Sequence, residues 1–227
     1  MHLENVFAPG RLAGLLPFPK RRFWLWVAFV LLTIPLIGWI LRAPSAHNLE
    51  EGRSIAAAGL FTAWAQGNAM VVMRHAERCD RSHNECLGDP DGITVEGADV
   101  AAKAGRALRA LGIKATDFLS SPLVRTVQTA QAVTGRDVPT VEWLQDCRRP
   151  SLEALLALKK PERNLVVVTH SGCIEHYEQQ LGVGGTPSSG YVSALFLSNI
   201  HDDSAKVLGY LDAPGWQTLL DQAAKSK

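Results

Sequence analysis

The stretch Met70-Val71-Val72-Met73-Arg74-His75-Ala76-Glu77-Arg78 decides which fold the sequence predicts. Four consecutive apolar residues are typical of a short strand that is buried on both faces. The run stops at an arginine and a histidine, and ligands of open α/β sheets bind where strands reach their carboxyl ends. An isolated Arg-His pair can also be a strand end that enters solvent, so the prediction of a binding site depends on residues further along.

The composition of the chain excludes few functions. Its 227 residues give room for one domain and an appendage. The net charge is +1 and charged residues make up 20% of the chain, which indicates no general affinity for polyanions. We therefore expect no nucleic-acid partner.

Residues 23–41 contain no charged residue and are nearly long enough to cross a bilayer. Residues 20–22 are all basic, so the positive-inside rule predicts a cytoplasmic segment 1–22 and export of everything after residue 41. A cleaved signal peptide usually has a shorter apolar region, and the small-residue site at residues 43–46 contains a proline. We predict an uncleaved transmembrane signal anchor at residues 23–41, with a cleaved signal peptide and a helix buried in a soluble core as the alternatives.

The remaining sequence predicts a short tether with an Ala-rich helix at residues 42–68 and a globular domain at residues 69–227. Predicted strands cover residues 70–73, 117–120, 138–144, 165–169, 191–197 and 206–211. Predicted helices begin after Thr94, at Ser121-Pro122, at Ser151, after Gly172 and at Pro214. Strands that alternate with helices predict a three-layer α/β/α sandwich with a mostly parallel sheet.

The four cysteines predict disulfides if the domain is exported, because their number is even. The spacing lacks any Cys-x-x-Cys pair, which disfavours a zinc site. A Cys79–Cys86 bridge would brace the long loop after the first strand. Cys147 and Cys173 both follow predicted strand ends, so we expect them to pair.

Two strongly apolar strands each end in a histidine, His75 and His170. If these strands are parallel neighbours, their ends bring the two imidazoles together. Arg74 lies beside the first histidine, and Arg125 lies in the first turn of a helix whose N-terminus favours an anion. Such a set suits a phosphate group. The alternative is that His170 is a core histidine and Arg125 a solvated helix residue.

Three motifs carry a resemblance to a known family. They are residues 74–77 (RHAE), residues 120–130 (SSPLVRTVQTA) and residues 168–172 (VTHSG). In this order they resemble the histidine phosphatase (phosphoglycerate mutase-like) superfamily over about residues 69–212. Residues 74–93 (RHAERCDRSHNECLGDPDGI) are similar, within it, to the lipopolysaccharide core heptose(II)-phosphate phosphatases.

The resemblance implies a mechanism. His75 would attack phosphorus and form a phosphohistidine, and Arg74 would help to keep it neutral by disfavouring a second positive charge. Arg74, Arg125 and His170 would hold the phosphate oxygens, with no metal or other cofactor. The general acid would be Asp146, in the pattern Leu144-Gln145-Asp146, or else Glu77.

These implications predict a phosphomonoesterase in the bacterial inner membrane, with its catalytic domain in the periplasm and a phosphorylated sugar or lipid-linked glycan as substrate. The alternatives are a general envelope phosphatase, a phosphohistidine protein phosphatase and a catalytically weak sugar-phosphate binding protein. Four arginines follow strands whose ends define the pocket, and they either attract a polyanionic substrate or form a solvated rim. These are Arg78, Arg81, Arg148 and Arg149.

Overall fold

A computed structural model describes residues 20–40, 45–50, 54–148, 151–183, 190–201 and 204–225, in two compact units, residues 1–42 and residues 43–227. The helices are α1 (Lys20–Ile40), α2 (Ser54–Ala57), α3 (Leu60–Ala65), α4 (Val95–Leu111), α5 (Val124–Thr134), α6 (Leu152–Leu156), α7 (Ser171–Gln180) and α8 (Gly215–Lys225). The strands are β1 (Ala69–Arg74), β2 (Thr116–Ser120), β3 (Asn164–Thr169), β4 (Ala194–His201) and β5 (Ser204–Leu211).

The first unit contains helix α1, which includes most of the segment predicted to span a membrane. Among the residues described here, no helix is both long enough and apolar enough to cross a bilayer. Residue 41 and the side chains of residues 35–40 lie outside the described part. The predicted transmembrane anchor is therefore not supported.

The second unit begins before residue 69, because the preceding segment packs into the domain. The backbone N–H of Leu49 donates to the carbonyl oxygen of Tyr210 on β5. Leu49, Ile55, Leu60 and Trp64 are all buried in the domain core. The predicted Ala-rich helix is present as two short helices, α2 and α3. The segment before residue 69 is therefore part of the packed domain and not only a tether.

The sheet has the strand order β2-β3-β1-β4-β5. Strand β3 pairs in parallel with both β1 and β2, whereas β4 pairs antiparallel with β1 and with β5. The prediction of a mostly parallel sheet is therefore wrong, and the sheet is mixed. The connection between β4 and β5 is too short for a crossover, so these two strands pair antiparallel.

Side chains on both faces of the sheet enter hydrophobic cores, which confirms the three-layer architecture. Val71 and Met73 of β1 enter one core together with residues of α3, α4, α5 and α8. Met70 and Val72 point to the other face, where α6 and α7 cover the sheet. Because β1 is buried on both faces, its sequence is continuously apolar and does not alternate.

The predicted strand at residues 138–144 is wrong. Residues Glu142–Gln145 form a 3-10 helix, and Thr140 makes only an isolated bridge with Ser120. Pro139 cannot donate a hydrogen bond to a neighbouring strand, which disfavours a regular strand here. The segment closes over the end of β2 without joining the sheet.

Two helix starts differ in how well the sequence predicts them. Thr94 caps α4 as expected, since its hydroxyl oxygen accepts a 2.9 Å hydrogen bond from the N–H of Gly97. Helix α5, however, begins at Val124 and not at Ser121-Pro122, because Leu123 is still extended. Residues 121–123 thus form a short link between β2 and α5.

Candidate active site

The ends of β1 and β3 bring the two predicted histidines together. Arg74 and Thr169 are register partners in this parallel pair, and the next residue of each strand is a histidine. The backbone N–H of His75 donates to the carbonyl oxygen of Thr169 over 2.9 Å. The imidazole centroids of His75 and His170 are 5.4 Å apart, with their planes at 62°. Both histidines are buried.

The surroundings of His75 fix one tautomer and one protonation state. Its Nδ1 lies 2.8 Å from the carbonyl oxygen of Ala76. A carbonyl oxygen only accepts, so Nδ1 carries the hydrogen and Nε2 keeps its lone pair. Burial, together with the charges of His170, Arg125 and Arg74, lowers the pKa of His75 to about 3. The hydrogen bond to Ala76 acts in the opposite direction and raises this pKa, but its effect is smaller. At neutral pH the ring is an uncharged base with a free Nε2.

His170 is held by a serine that follows β2. Its Nε2 lies 3.0 Å from the hydroxyl oxygen of Ser121, which is fully buried. Burial lowers the pKa of His170 to about 4, helped by the charges of Arg125, Arg78 and Arg74. The ring is therefore neutral at physiological pH, and its orientation is set by Ser121.

Two arginines beside the histidines have buried groups that the described protein does not pair. The Nε atoms of Arg74 and Arg125 are both buried, and neither has a hydrogen-bond partner among the described residues. Burial lowers the pKa of both guanidinium groups. A buried cation without a partner is unfavourable unless an anion enters. The arrangement thus suits an anion with several oxygens, such as phosphate.

Tyr191 also lies at this site, although the sequence did not indicate it. Its ring centroid is 4.2 Å from the Cζ of Arg74 and 5.8 Å from the centroid of His75. In a mostly parallel sheet, the start of β4 would lie at the opposite edge from the end of β1. Because β4 is antiparallel to β1, Tyr191, three residues before β4, reaches the carboxyl edge. The position of Tyr191 was not predicted because the sequence does not indicate the direction of β4.

Glu77, one of the two predicted acids, is held in its ionised form. Its carboxylate accepts hydrogen bonds from Asn84 Nδ2 at 2.9 Å, Thr94 Oγ1 at 2.8 Å and Ser82 Oγ at 3.0 Å. These bonds, led by that from Asn84, lower the pKa of Glu77. A general acid must hold a proton near neutral pH, which requires the opposite shift. The geometry makes Glu77 a brace for its loop.

Asp146, the other predicted acid, lies in a segment that is attached on both sides to the end of β3. The carbonyl oxygen of Leu144 accepts a 2.9 Å hydrogen bond from Thr169 Oγ1. Cys147 forms a disulfide with Cys173 in the first turn of α7, the helix that follows His170. Asp146 is therefore held close to the His170 side of the site.

Both predicted disulfides are present. Cys79–Cys86 closes the loop after β1, and Cys147–Cys173 joins the segment after the 3-10 helix to α7. Of the predicted rim arginines, Arg78 is paired with Asp80, and Arg148 is exposed. Arg149 lies outside the described residues. No group of three or more His, Cys, Asp or Glu side chains in the described part could hold a metal ion.

Comparison with known proteins matches part of this site to a family. Residues 70–148 match the histidine phosphatase superfamily (branch 1). A lipopolysaccharide core heptose(II)-phosphate phosphatase of Escherichia fergusonii is 39% identical over 114 residues, which cover 49% of this chain and 58% of that protein. The protein of the same description from Escherichia coli O139:H28 is 40% identical over 114 residues, 49% of this chain and 56% of its own.

The matched region therefore spans little more than half the length of these curated relatives. Among solved structures, the protein histidine phosphatase SixA complexed with tungstate has a similar fold, with a TM-score of 0.52 and 16% sequence identity. That alignment covers 65% of this chain and 98% of the other. At this level of identity the likeness concerns the fold alone.

Proposed function

The chain carries a domain of the histidine phosphatase superfamily, and on this basis we propose that it is a phosphomonoesterase that acts through a phosphohistidine intermediate. One observation carries the proposal. A neutral imidazole with a free Nε2 lies beside a second histidine, and the buried Nε atoms of two neighbouring arginines have no partner in the described protein. A nucleophile next to a cluster of oxyanion-binding groups suits phosphoryl transfer.

In the first step Nε2 of His75 attacks phosphorus. The phosphorus–oxygen bond to the alcohol breaks, and its electron pair goes to the leaving oxygen. Arg74, Arg125 and His170 bind the oxygens of the transferred group, where negative charge accumulates. Asp146 gives a proton to the leaving alcohol, a role that we assign to it because the contacts of Leu144 and Cys147 hold its segment beside His170.

In the second step water attacks the phosphohistidine. The phosphorus–nitrogen bond breaks, its electron pair returns to Nε2, and orthophosphate leaves. Asp146, now ionised, accepts the proton from the water, so that the enzyme returns to its starting state. The low pKa of His75, about 3, keeps Nε2 unprotonated and ready for the next cycle.

We propose a phosphorylated sugar of the lipopolysaccharide core as the substrate. The support is the 39–40% identity to proteins described as lipopolysaccharide core heptose(II)-phosphate phosphatases, over about half of each protein. The test is release of orthophosphate by the purified protein from a panel containing core oligosaccharide, simple sugar phosphates, phosphohistidine peptide and p-nitrophenyl phosphate. Release from other esters, with none from core oligosaccharide, would contradict the substrate proposal and keep the phosphatase.

We further propose that the domain works outside the cytoplasm, in the periplasm. Two disulfides support this location, because they persist in oxidising compartments. The basic residues 20–22 before an apolar segment favour export of the chain beyond that segment. A reporter enzyme that is active only after export, fused after residue 60, should be active. Activity of a cytoplasm-specific reporter at the same position would reverse the proposed location.

A further inference from the structure

The guanidinium of Arg74 lies over the face of the Tyr191 ring. The Cζ of Arg74 lies 4.2 Å from the ring centroid, within the range of a cation–π interaction. Among the described residues Arg74 forms no ion pair, and its buried Nε has no hydrogen-bond partner. The face of the tyrosine ring is thus in direct contact with this cation, and the charge of Glu175 also acts on it. A contact with the face of an aromatic ring involves no hydrogen bond to a side-chain oxygen, so the N–H donors of the guanidinium remain available to an anion.

The residue after Tyr191 has a strained backbone. Val192 has a φ of 58°, in the left-handed region that a β-branched side chain rarely adopts. Strain of this kind persists only where the surrounding structure enforces it, and it concentrates at functional sites. A strained residue next to Tyr191 indicates that the direction of this side chain is imposed by the fold.

Several contacts enforce this backbone. The N–H of Val192 donates to the carbonyl oxygen of His75 over 3.3 Å, and its carbonyl oxygen accepts a 2.8 Å bond from the indole Nε1 of Trp216. Val192 and Trp216 are both fully buried. The N–H of Arg74 donates to the carbonyl oxygen of Ser193 over 2.9 Å. The turn that carries Tyr191 is therefore bonded directly to both Arg74 and His75.

We propose that Tyr191 is a positioning residue, which orients the guanidinium of Arg74 so that its N–H donors face the bound phosphate. A carboxylate partner would occupy these donors and compete with the substrate, whereas an aromatic face does not. The ring also lies 5.8 Å from the His75 ring. This role rests on the proposed phosphatase function, because it assigns Arg74 to the phosphate.

The test measures orthophosphate binding by calorimetry and p-nitrophenyl phosphate turnover with the full chain. We expect Tyr191→Leu to weaken phosphate binding and to lower kcat/KM by about tenfold, in keeping with a partly desolvated cation–π contact. Tyr191→Phe keeps the aromatic face and should stay within about threefold of the wild type. In an Arg74→Ala background Tyr191→Leu should have no further effect, because the group that it positions is gone.

A second series of variants keeps the size of the aromatic ring, so that the protein still folds. Phenylalanine analogues with one, two or three ring fluorines at position 191 keep the shape of the ring but weaken its negative face. Phosphate affinity should fall with each fluorine, a trend that a purely structural role would not produce. Equal affinity across the series, or an undiminished effect of Tyr191→Leu without Arg74, overturns the proposal. A wild-type protein that binds phosphate but hydrolyses no ester would contradict the proposed function while leaving this binding test intact.

Discussion

The Nδ1 atom of His75 lies 2.8 Å from the carbonyl oxygen of Ala76, the next residue in the chain. This contact assigns the hydrogen of the neutral ring to Nδ1 and leaves Nε2 as the basic atom. The residue that supplies the oxygen is itself anchored, because the N–H of Ala76 donates to Thr129 Oγ1 over 2.9 Å. The nucleophile is thus oriented by local backbone and not by a carboxylate, which would raise its pKa.

The first prediction concerns the covalent intermediate. A rapid quench with radiolabelled substrate should trap a phosphoenzyme that is labile to acid and stable to base, as expected for a phosphohistidine. His75→Ala should abolish the label and lower turnover by roughly 10⁴-fold or more, since the nucleophile is lost. His83→Ala, at an exposed loop position, is the matched control and should retain both. A labelled His75→Ala protein would refute the assignment.

The second prediction concerns stability and pH. The pKa values of His75 and His170 are about 3 and about 4 in the folded protein, below the ordinary value of 6.5. Between about pH 4 and 6.5 the unfolded chain therefore binds more protons, so the free energy of unfolding falls as the pH is lowered through this window. The slope should be up to about 1.4 kcal/mol per pH unit for each histidine.

Denaturant unfolding from pH 7 to pH 4 measures this slope. His75→Gln removes one titrating ring and should reduce the slope by about one proton. A His75→Gln protein with the wild-type slope would show that this ring does not titrate as the buried site requires.

Much of this site was accessible from the sequence because its residues lie where regular elements end. His75 and His170 close two apolar strands, and the parallel pairing of β1 with β3 follows from their composition. Arg125 could be placed because the start of α5 was off by only a few residues. Tyr191 could not, since its position depends on the direction of β4, which periodicity does not report. The role of Ser121 could not be predicted for a different reason, because a serine before proline is typical of a helix start.

The irregular segment around Asp146 shows a second limit of structure prediction from sequence. The apolar residues between Val138 and Leu144 resemble a strand, but residues Glu142–Gln145 form a 3-10 helix. It is held by tertiary contacts, namely the hydrogen bond from Thr169 to Leu144 and the disulfide at Cys147. Neither contact has a local signature, although the pairing of Cys147 with Cys173 could be predicted from their positions after strand ends.

The third prediction separates the two candidate acids by the leaving group. An alcohol with a high pKa needs a proton as it leaves, whereas p-nitrophenolate does not. Asp146→Asn should therefore lower kcat for a sugar phosphate by roughly 10²–10⁴-fold and for p-nitrophenyl phosphate far less. Glu77→Gln is the matched control and should lower the two rates equally, if at all. Should Glu77→Gln show the selective loss instead, the acid would be Glu77.

The fourth prediction is that Glu77→Gln lowers the stability of the fold. Its carboxylate accepts three hydrogen bonds from the loop and from Thr94, and its pKa is lowered by them. Because these bonds favour the ionised form, the group stabilises the fold above its ordinary pKa and loses that contribution as the pH falls towards its lowered value. The substitution should therefore lower the midpoint of thermal unfolding at pH 7 more than at pH 4.

The last prediction concerns the disulfide next to Asp146. Cys147 and Cys173 are 26 residues apart in sequence, whereas Cys79 and Cys86 are 7 apart. By loop-closure entropy, replacing Cys147 and Cys173 with serines should cost about 3.5 kcal/mol of unfolding free energy, and replacing Cys79 and Cys86 about 2.4 kcal/mol. Only loss of the Cys147–Cys173 bridge frees the segment that carries Asp146. That loss should therefore lower the ratio of sugar phosphate to p-nitrophenyl phosphate turnover, as Asp146→Asn does, while loss of the Cys79–Cys86 bridge leaves this ratio unchanged. If both double variants kept the wild-type ratio, the disulfide would serve stability alone, and Asp146 would be held by the Thr169 contact to Leu144.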